Sequence, residues 1–237
     1  MCIRDRFSVS YFSYWRGGIS IKEVFSDIIV EAPLGSRTKL TLPDGTLVWL
    51  NAGSRITYSQ GFGVGNRKIE LIGEGYFEVK RNEEVPFLVK TNSLLVKVLG
   101  TKFNFRDYPD DAEAIVSLSE GKVALNNLLK KEKEAFLLPN ERVVLNKKNG
   151  RMHVEYSTVS NALQWTNGYI FFDEELLPDV VKELERSYNV KIQIASDTLN
   201  TFRFYGNFVH REQNIQEVLE ALSATRKIHY IIEGHNI

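Results

Sequence analysis

Three polar residues in the stretch LPDGTLVWLNAGSRITY, residues 42–58, are of types that could carry chemistry: Asp44, Asn51 and Ser54. A serine nucleophile needs a histidine to accept its proton. The first histidine of the sequence is His153, far along the chain. The Asp-Gly pair at Asp44 and the run Asn-Ala-Gly-Ser that begins at Asn51 both have the composition of backbone turns. The stretch therefore favours turns over a catalytic site.

Residues that could bind a metal ion or a phosphate group are few and unfavourably spaced. Cys2 is the only cysteine, and none of the histidines is in a His-x-x-x-His or His-Glu-x-x-His pattern: His153, His210, His229 and His235. The segment GFGVGN, residues 61–66, is rich in glycine but leads into the strand-like KIELIG. No helix N-terminus follows to hold a phosphate. The sequence predicts no metal site, no cofactor and no catalytic residue.

Aromatic residues and acidic pairs leave two further possibilities. Five aromatic side chains could form a sugar-binding platform, although their alternation along strands is more typical of a core: Trp49, Tyr58, Phe62, Tyr76 and Phe77. The acidic pairs Glu83-Glu84 and Asp110-Asp111 lie near prolines and are interpreted as solvated turn tips. Paired carboxylates are also the groups that glycosidases use. A carbohydrate-binding module and a hydrolase therefore stay open as alternatives.

Composition limits the class of protein before any motif is considered. The 237 residues are 43% hydrophobic and 25% charged, as in a soluble globular protein. Thirty basic and thirty acidic residues cancel, so nucleic acid is not an expected partner. No apolar run approaches the roughly 20 residues that span a bilayer. Residues 1–26 are interpreted as a leader or as the remnant of a membrane anchor, because Phe7 to Trp15 is a short apolar and aromatic run.

Residues 27–158 are predicted to form an all-β domain of short twisted strands, with a solenoid-like or sandwich-like architecture. Short β-branched and aromatic segments alternate there with turn residues. Hairpins are predicted at Pro43-Asp44-Gly45 and at Asn149-Gly150. Further turns are expected at three glycine-containing junctions: Gly73-Glu74-Gly75, Gly100 and Glu120-Gly121.

Residues 160–237 show a helical period instead. LLPDVVKELERSY and NIQEVLEALSA each place apolar residues on one stripe of a helix. A shift of 38 residues superimposes Leu177 on Ile215 and Leu184 on Leu222, and the flanking segments follow the same shift. We therefore expect two copies of a strand-helix-strand unit, which together form a small α+β domain of two βαβ units.

The chain resembles a known family over about residues 28–237. The first part is similar to the periplasmic region of FecR-family transmembrane regulators, the anti-sigma factors of cell-surface signalling in gram-negative bacteria, in these phrases: LTLPDGTLVWLNAGSRITY, IELIGEGYFEVKR with PFLVKT, VKVLGTKFNFRDY and VSLSEGKVAL. The second part resembles the C-terminal domain of that family, which is similar to the secretin and TonB short N-terminal domain: WTNGYIFFDEELLPDVVKELERSYNVKI, FRFYGNF and VLEALSATRKIHYII.

The resemblance implies a function without catalysis. In the family, the signalling domain of an outer-membrane TonB-dependent transducer, whose ligand is typically an iron chelate or a glycan, contacts the regulator's C-terminal periplasmic domain. An extracytoplasmic-function sigma factor is reached only through a cytoplasmic domain that we do not identify in this sequence. The resemblance implies a periplasmic location, with an inner-membrane anchor in the full-length protein. An envelope carbohydrate-binding module and an envelope hydrolase remain the alternatives.

Contact residues for such a partner are argued from the strand-like segment TFRFYGNF. Alternation directs Phe202, Phe204 and Phe208 inward. The opposite face then carries the predicted partner-binding residues: Arg203, Tyr205 and Asn207. Arginine and tyrosine are enriched among residues that dominate interface energetics. An ordinary solvent face is the alternative interpretation.

Overall fold

The computed structural model describes residues 27–156, 159–210 and 212–232. The predicted leader, residues 1–26, lies outside them. Residues 27–156 form thirteen strands: β1 (Asp27–Ala32), β2 (Thr38–Thr41), β3 (Leu47–Leu50), β4 (Ser54–Ser59), β5 (Arg67–Glu78), β6 (Phe87–Lys90), β7 (Leu94–Val98), β8 (Lys102–Asp107), β9 (Glu113–Glu120), β10 (Val123–Asn127), β11 (Ala135–Leu137), β12 (Glu141–Asn146) and β13 (Arg151–Tyr156).

The thirteen strands form one rolled, nearly closed sheet whose two halves share β5. One half has the strand order β1-β4-β5-β6-β7-β10-β11 and the other has the order β2-β3-β5-β8-β9-β12-β13. Among these thirteen strands, β5 and β6 are the one pair that runs parallel. Alternate side chains of both halves meet in a single apolar core, in which Phe77, Phe87 and Phe103 are fully buried. The prediction of an all-β part is confirmed.

Both predicted hairpins are present. Strands β2 and β3 form an antiparallel hairpin, in which Thr41 and Leu47 are the paired residues next to the turn. Gly45 lies in this turn and has a φ of 86°. Strands β12 and β13 pair from Asn146 with Arg151. At both turns a glycine takes the left-handed conformation that other residues rarely adopt.

The turn predicted at Gly73-Glu74-Gly75 is wrong, because β5 runs through these residues without reversing. Gly73 has a φ of 98°, and a Cβ atom there would lie 2.5 Å from the Ser54 hydroxyl oxygen. The glycines serve a bend, where β5 leaves β4 and β6 and begins to pair with β3 and β8. The chain does turn near Gly100 and Gly121, but the strands it joins there belong to different halves of the sheet.

The remaining residues form two strands and three α-helices within the described ranges: α1 (Val159–Ala162), β14 (Tyr169–Leu176), α2 (Leu177–Tyr188), β15 (Arg203–Val209) and α3 (Ile215–Ala224). Short 3₁₀ helices cover Gln164–Asn167 and Asp197–Thr201. Both predicted amphipathic helices are confirmed. The predicted capping box is present as well, since Glu217 N donates to the Asn214 side chain and Asn214 N donates to the Glu217 carboxylate.

The two copies of the repeat meet in the antiparallel β14–β15 pair. Ile170 lies opposite Phe208, and these are the residues that the 38-residue shift superimposes. Their helices pack on one side of the pair in a core that is separate from the core of the β part. The predicted last strand of each unit is not found, since residues 192–196 and 228–232 have no strand assignment. Ile192 and Ile228 still pack on this core. The alternating apolar pattern predicted their burial correctly, but a strand also needs a neighbouring backbone with which to form hydrogen bonds.

Candidate functional site

The predicted partner-binding residues lie on β15 and point away from the small core. Arg203, Tyr205 and Asn207 are exposed, whereas Phe204 and Phe208 are buried. Tyr205 keeps 60% of its surface accessible. The predicted alternation is therefore present, and binding by these residues stays a prediction.

A bulge in β14 holds two of these side chains in place. The register shifts between Phe172 and Glu175, and Glu174 within the bulge has a φ of 58°. Arg203 Nη1 donates to the Glu174 carbonyl oxygen at 2.5 Å, and the Tyr205 hydroxyl donates to the Glu174 carboxylate. Bulges often re-aim side chains near functional sites. Here the bulge reduces the freedom that Arg203 and Tyr205 would lose on binding a partner.

Of the three polar residues considered first, Asn51 and Ser54 belong to one buried cluster and Asp44 belongs to another. Asp44 forms a buried ion pair with Arg67 at 3.2 Å. Ser54 Oγ accepts a hydrogen bond from Glu74 N and lies 3.1 Å from the Tyr108 hydroxyl. Within the described residues, no histidine hydrogen-bonds to Ser54. The arrangement lacks the base that a serine nucleophile requires.

Glu74 is the centre of the cluster around Asn51. Its two carboxylate oxygens accept hydrogen bonds from Asn51 Nδ2 at 2.9 Å and from Asn104 Nδ2 at 2.8 Å. Asn104 Oδ1 in turn accepts from Trp165 Nε1 at 3.2 Å, and Asn51 Oδ1 accepts from Arg37 Nε at 2.9 Å. Trp165 lies beyond the β part, so the chain of hydrogen bonds links the bend of β5 to the C-terminal region.

A second set of contacts joins α2 to the loop after β8. Arg186 Nη1 lies 3.1 Å from Asp111 Oδ1, and Arg106 Nε lies 2.8 Å from Asp111 Oδ2. Glu183 lies between the two arginines, 3.5 Å from Arg106 Nη1 and 3.7 Å from Arg186 Nη2. The Arg186 guanidinium also stacks 4.0 Å above the Tyr108 ring. We call this set, Arg106, Asp111, Glu183 and Arg186, the charge cluster.

Burial and charge change the pKa values within both clusters. Burial raises the pKa of Glu74, and Arg106 and the two asparagine amides oppose that rise. Burial would also raise the pKa of Asp111, but Arg106 and Arg186 outweigh it and lower the pKa. Arg106 loses solvent by burial, yet the carboxylates of Asp111, Glu74 and Glu183 raise its pKa well above the ordinary value. Asp111 and Arg106 are therefore stabilised in their charged forms, whereas burial favours the neutral form of Glu74.

Several residues of these clusters were interpreted otherwise from sequence. Asp111 was expected at a solvated turn tip, but it is 8% exposed and paired with two arginines. Glu83 and Glu84 are exposed, as expected. Glu74 continues the alternation of the exposed residues Lys68 and Glu70 along β5, so the local pattern gives no sign that its carboxylate is buried.

The five aromatic residues considered as a sugar platform do not form one surface. Phe62, Tyr76 and Phe77 are buried. Trp49 and Tyr58 are half-buried, and Lys39 Nζ lies 4.4 Å from the centre of the Trp49 ring. The expectation that most of these side chains belong to the core is confirmed.

A cleft of about 680 Å³ separates the β part from the β14–β15 pair. One wall carries Glu113 and Arg142 of the β part, and the other carries β14 together with Arg203 of β15. Within residues 27–156, 159–210 and 212–232, no group of three or more His, Cys, Asp or Glu side chains is placed to hold a metal ion. In the same ranges, no helix combines the length and the apolar character needed to cross a bilayer.

The chain is thus a two-part protein, in which a rolled β part is joined through a polar interface to a small α+β unit. The family model described as FecR protein matches residues 29–124, and the model described as FecR, C-terminal, matches residues 169–237. The chain belongs to the FecR family of envelope-associated anti-sigma factors. This is a regulatory family and not a known enzyme family.

Solved structures agree with this assignment. A candidate anti-sigma factor from Parabacteroides distasonis ATCC 8503, solved at 1.65 Å, is 32% identical with a TM-score of 0.81, over 88% of this chain and 96% of that chain. A second structure of the same description, at 2.50 Å, also gives 32% identity and a TM-score of 0.81, over 89% and 97% of the two chains. No curated protein sequence matches this chain.

Proposed function

We propose that this chain is the periplasmic sensing region of a transmembrane sigma regulator, and that it receives its signal from the signalling domain of an outer-membrane TonB-dependent transducer. Membership of the FecR family supports the regulatory role. The exposed face of β15 is proposed as the contact surface because Arg203 and Tyr205 lie on it and are held in place by Glu174. The sigma factor itself is contacted through a cytoplasmic domain in the full-length protein.

The contacts between the two parts provide a route for the signal. Strand β15 and helix α2 pack on the same small core, and α2 contacts the loops of the β part. Gly35 N donates to the Arg186 carbonyl oxygen at 2.8 Å, and Lys182 Nζ donates to the Asp110 carbonyl oxygen at 2.8 Å. A displacement of α2 therefore acts directly on the loops of the β part.

The test is calorimetric titration of the chain with the signalling domain of the transducer encoded beside it. We expect Arg203→Glu with Tyr205→Ala to weaken binding by about tenfold or more, because an arginine and tyrosine at the centre of an interface each contribute over about 1 kcal/mol. The melting temperature should hardly change, because both side chains are exposed.

Arg151→Glu is the matched control, since Arg151 is an exposed strand arginine of the β part. Unchanged affinity in the double variant would reject β15 as the contact surface. Absence of binding between two folded native proteins would reject the transducer as the partner. A saturable change in tryptophan fluorescence on titration with glycans would favour an envelope carbohydrate-binding module instead.

A further inference from the structure

The free edge of β14 opens into the cleft between the two parts. In the small sheet, β14 pairs with β15 on one side only. The cleft lining includes every residue from 169 to 173, on both faces of the strand. A strand that presented a face would contribute alternate residues, so it is the edge of β14 that borders the cleft.

Hydrogen bonds at the start of the pair show which backbone groups point into the cleft. Tyr169 lies opposite Val209, and the Val209 N–H donates to Gln213 Oε1, away from β14. The Tyr169 carbonyl oxygen likewise accepts from Arg37 Nη2 at 3.4 Å, away from β15. This is therefore a pair without mutual hydrogen bonds, and by the alternation of an antiparallel ladder the next such pair is Phe171 with Asn207. The N–H and C=O groups of Phe171 are directed toward the cleft.

No hydrogen bond from a loop or side chain to these Phe171 groups occurs within the described residues. An unpaired strand edge is a ready template for another strand. The volume of about 680 Å³ beside it can admit part of an extended segment. The edge and the space next to it thus fit a strand from another molecule.

The side chains around the cleft set the charge of that strand. Glu113, Asp173 and Glu175 line the cleft, and none of them has an ion-pair partner within 4.0 Å in the described parts of the chain. The arginines nearby are already engaged: Arg106 by Asp111 and Glu183, Arg142 by Glu155, and Arg203 by the Glu174 carbonyl oxygen. Desolvation raises the pKa of Glu175, and the positive charges of Arg106, Arg142 and Arg203 offset that rise only in part.

We propose that an extended segment of a partner protein, with lysine or arginine side chains, adds as a strand to the edge of β14 in this cleft. Phe171 supplies the main-chain hydrogen bonds, and Glu113, Asp173 and Glu175 receive the basic side chains. The partner would then contact both parts of the chain at once. This inference rests on the proposed function, because it specifies the chemistry by which the signalling partner is recognised.

The experiment titrates the whole chain with two fluorescein-labelled peptides of about ten residues, one alternating lysine and valine and the other alternating glutamate and valine. We expect the lysine peptide to bind with an affinity that falls as salt increases, and the glutamate peptide to bind at least about tenfold more weakly. Amide hydrogen exchange at Phe171 should slow when the lysine peptide is bound. Equal binding of the two peptides, or unchanged exchange at Phe171, would overturn the proposal.

A charge-reversal pair tests the location. Glu113→Lys with Asp173→Lys should weaken binding of the lysine peptide by about tenfold or more, whereas the control Asp197→Lys with Glu220→Lys should change it by less than about twofold. All four acids are exposed, so the folded state should tolerate both pairs. Equal affinities of the two variants would reject this cleft.

The same variants separate this inference from the proposed function. If the transducer's signalling domain binds the native chain and the Glu113→Lys, Asp173→Lys variant equally well, the proposed function is supported. The cleft is then rejected as the binding site of that partner. If the lysine peptide binds as expected but the signalling domain does not, the proposed strand-binding cleft is supported and the transducer is rejected as the partner.

Discussion

Helix α2 has two faces that are buried in different ways. Val180 and Leu184 face the β14–β15 pair and are almost completely buried among apolar side chains. Glu183 and Arg186 face the β part and are buried among charges. The free energy of apolar burial depends on the buried area and little on the orientation of the packed surfaces. Ion pairs, in contrast, require particular distances between their atoms. The first face therefore makes the small unit fold, and the second sets its orientation on the β part.

The largest effect is expected at the apolar face. Leu184→Ala removes a side chain that is 1% exposed, and it should lower the stability of the C-terminal unit by about 3 to 4 kcal/mol. Hydrogen exchange measured by mass spectrometry should show faster exchange across β14, α2 and β15. Exchange in β6 to β10 should stay as in the native chain, and an equal increase there would mean that the two parts unfold as one.

A smaller effect is expected at the charge cluster. Asp111→Asn leaves Arg106 and Arg186 without their shared carboxylate and should cost about 2 to 3 kcal/mol, because each arginine loses a charged hydrogen bond. Because the lost contacts lie between the two parts, the segment from residue 161 to residue 168 should be cut faster in limited proteolysis. Each part should otherwise keep its own exchange pattern.

Asp110→Asn is the matched control for this change. Asp110 is the neighbouring acid, its side chain is 62% exposed, and it lies 3.6 Å from Arg186. Such an exposed pair contributes about 1 kcal/mol or less. Equal effects of the two substitutions would show that the charge cluster does not set the orientation.

The smallest effect is on the pH dependence of stability. The pKa of Asp111 is lowered in the folded chain, so its contribution is present above the ordinary aspartate pKa and is lost as pH falls through the folded value. Glu74 acts in the opposite direction, because its raised pKa makes the folded chain take up a proton, and gain stability, as pH falls through that value. Thermal melts of native chain, Asp111→Asn and Glu74→Gln between about pH 7 and pH 3 measure both effects.

We expect Asp111→Asn to lose less stability than the native chain at the acid end of this range. Glu74→Gln should lack the gain that the native chain shows on mild acidification. Parallel curves for all three proteins would mean that neither carboxylate titrates differently in the folded and unfolded chains.

Local patterns in the sequence were sufficient for part of the fold. Asn149-Gly150 predicted a hairpin because few other residues accept positive φ, and the stripe from Leu177 to Leu184 predicted a helix because only a period of 3.6 gathers its apolar residues. The outward direction of Arg203 and Tyr205 followed from alternation alone. Gly73-Glu74-Gly75 was misread because the same glycines allow either a turn or a bend, and only the pairing of β5 with strands from two halves of the sheet distinguishes them.

What the sequence by itself determined is the class of elements, the family and the exposed face of β15, because each depends on residues that are close together in the chain. The tertiary structure decided where Glu74 and Asp111 lie, because their partners come from distant segments: Asn51, Asn104, Arg106 and Arg186. It also decided that the edge of β14 faces an acidic cleft, since the two walls of that cleft belong to different parts of the chain. A pattern in neighbouring residues cannot predict such a cleft, because it carries no information about contacts between distant segments.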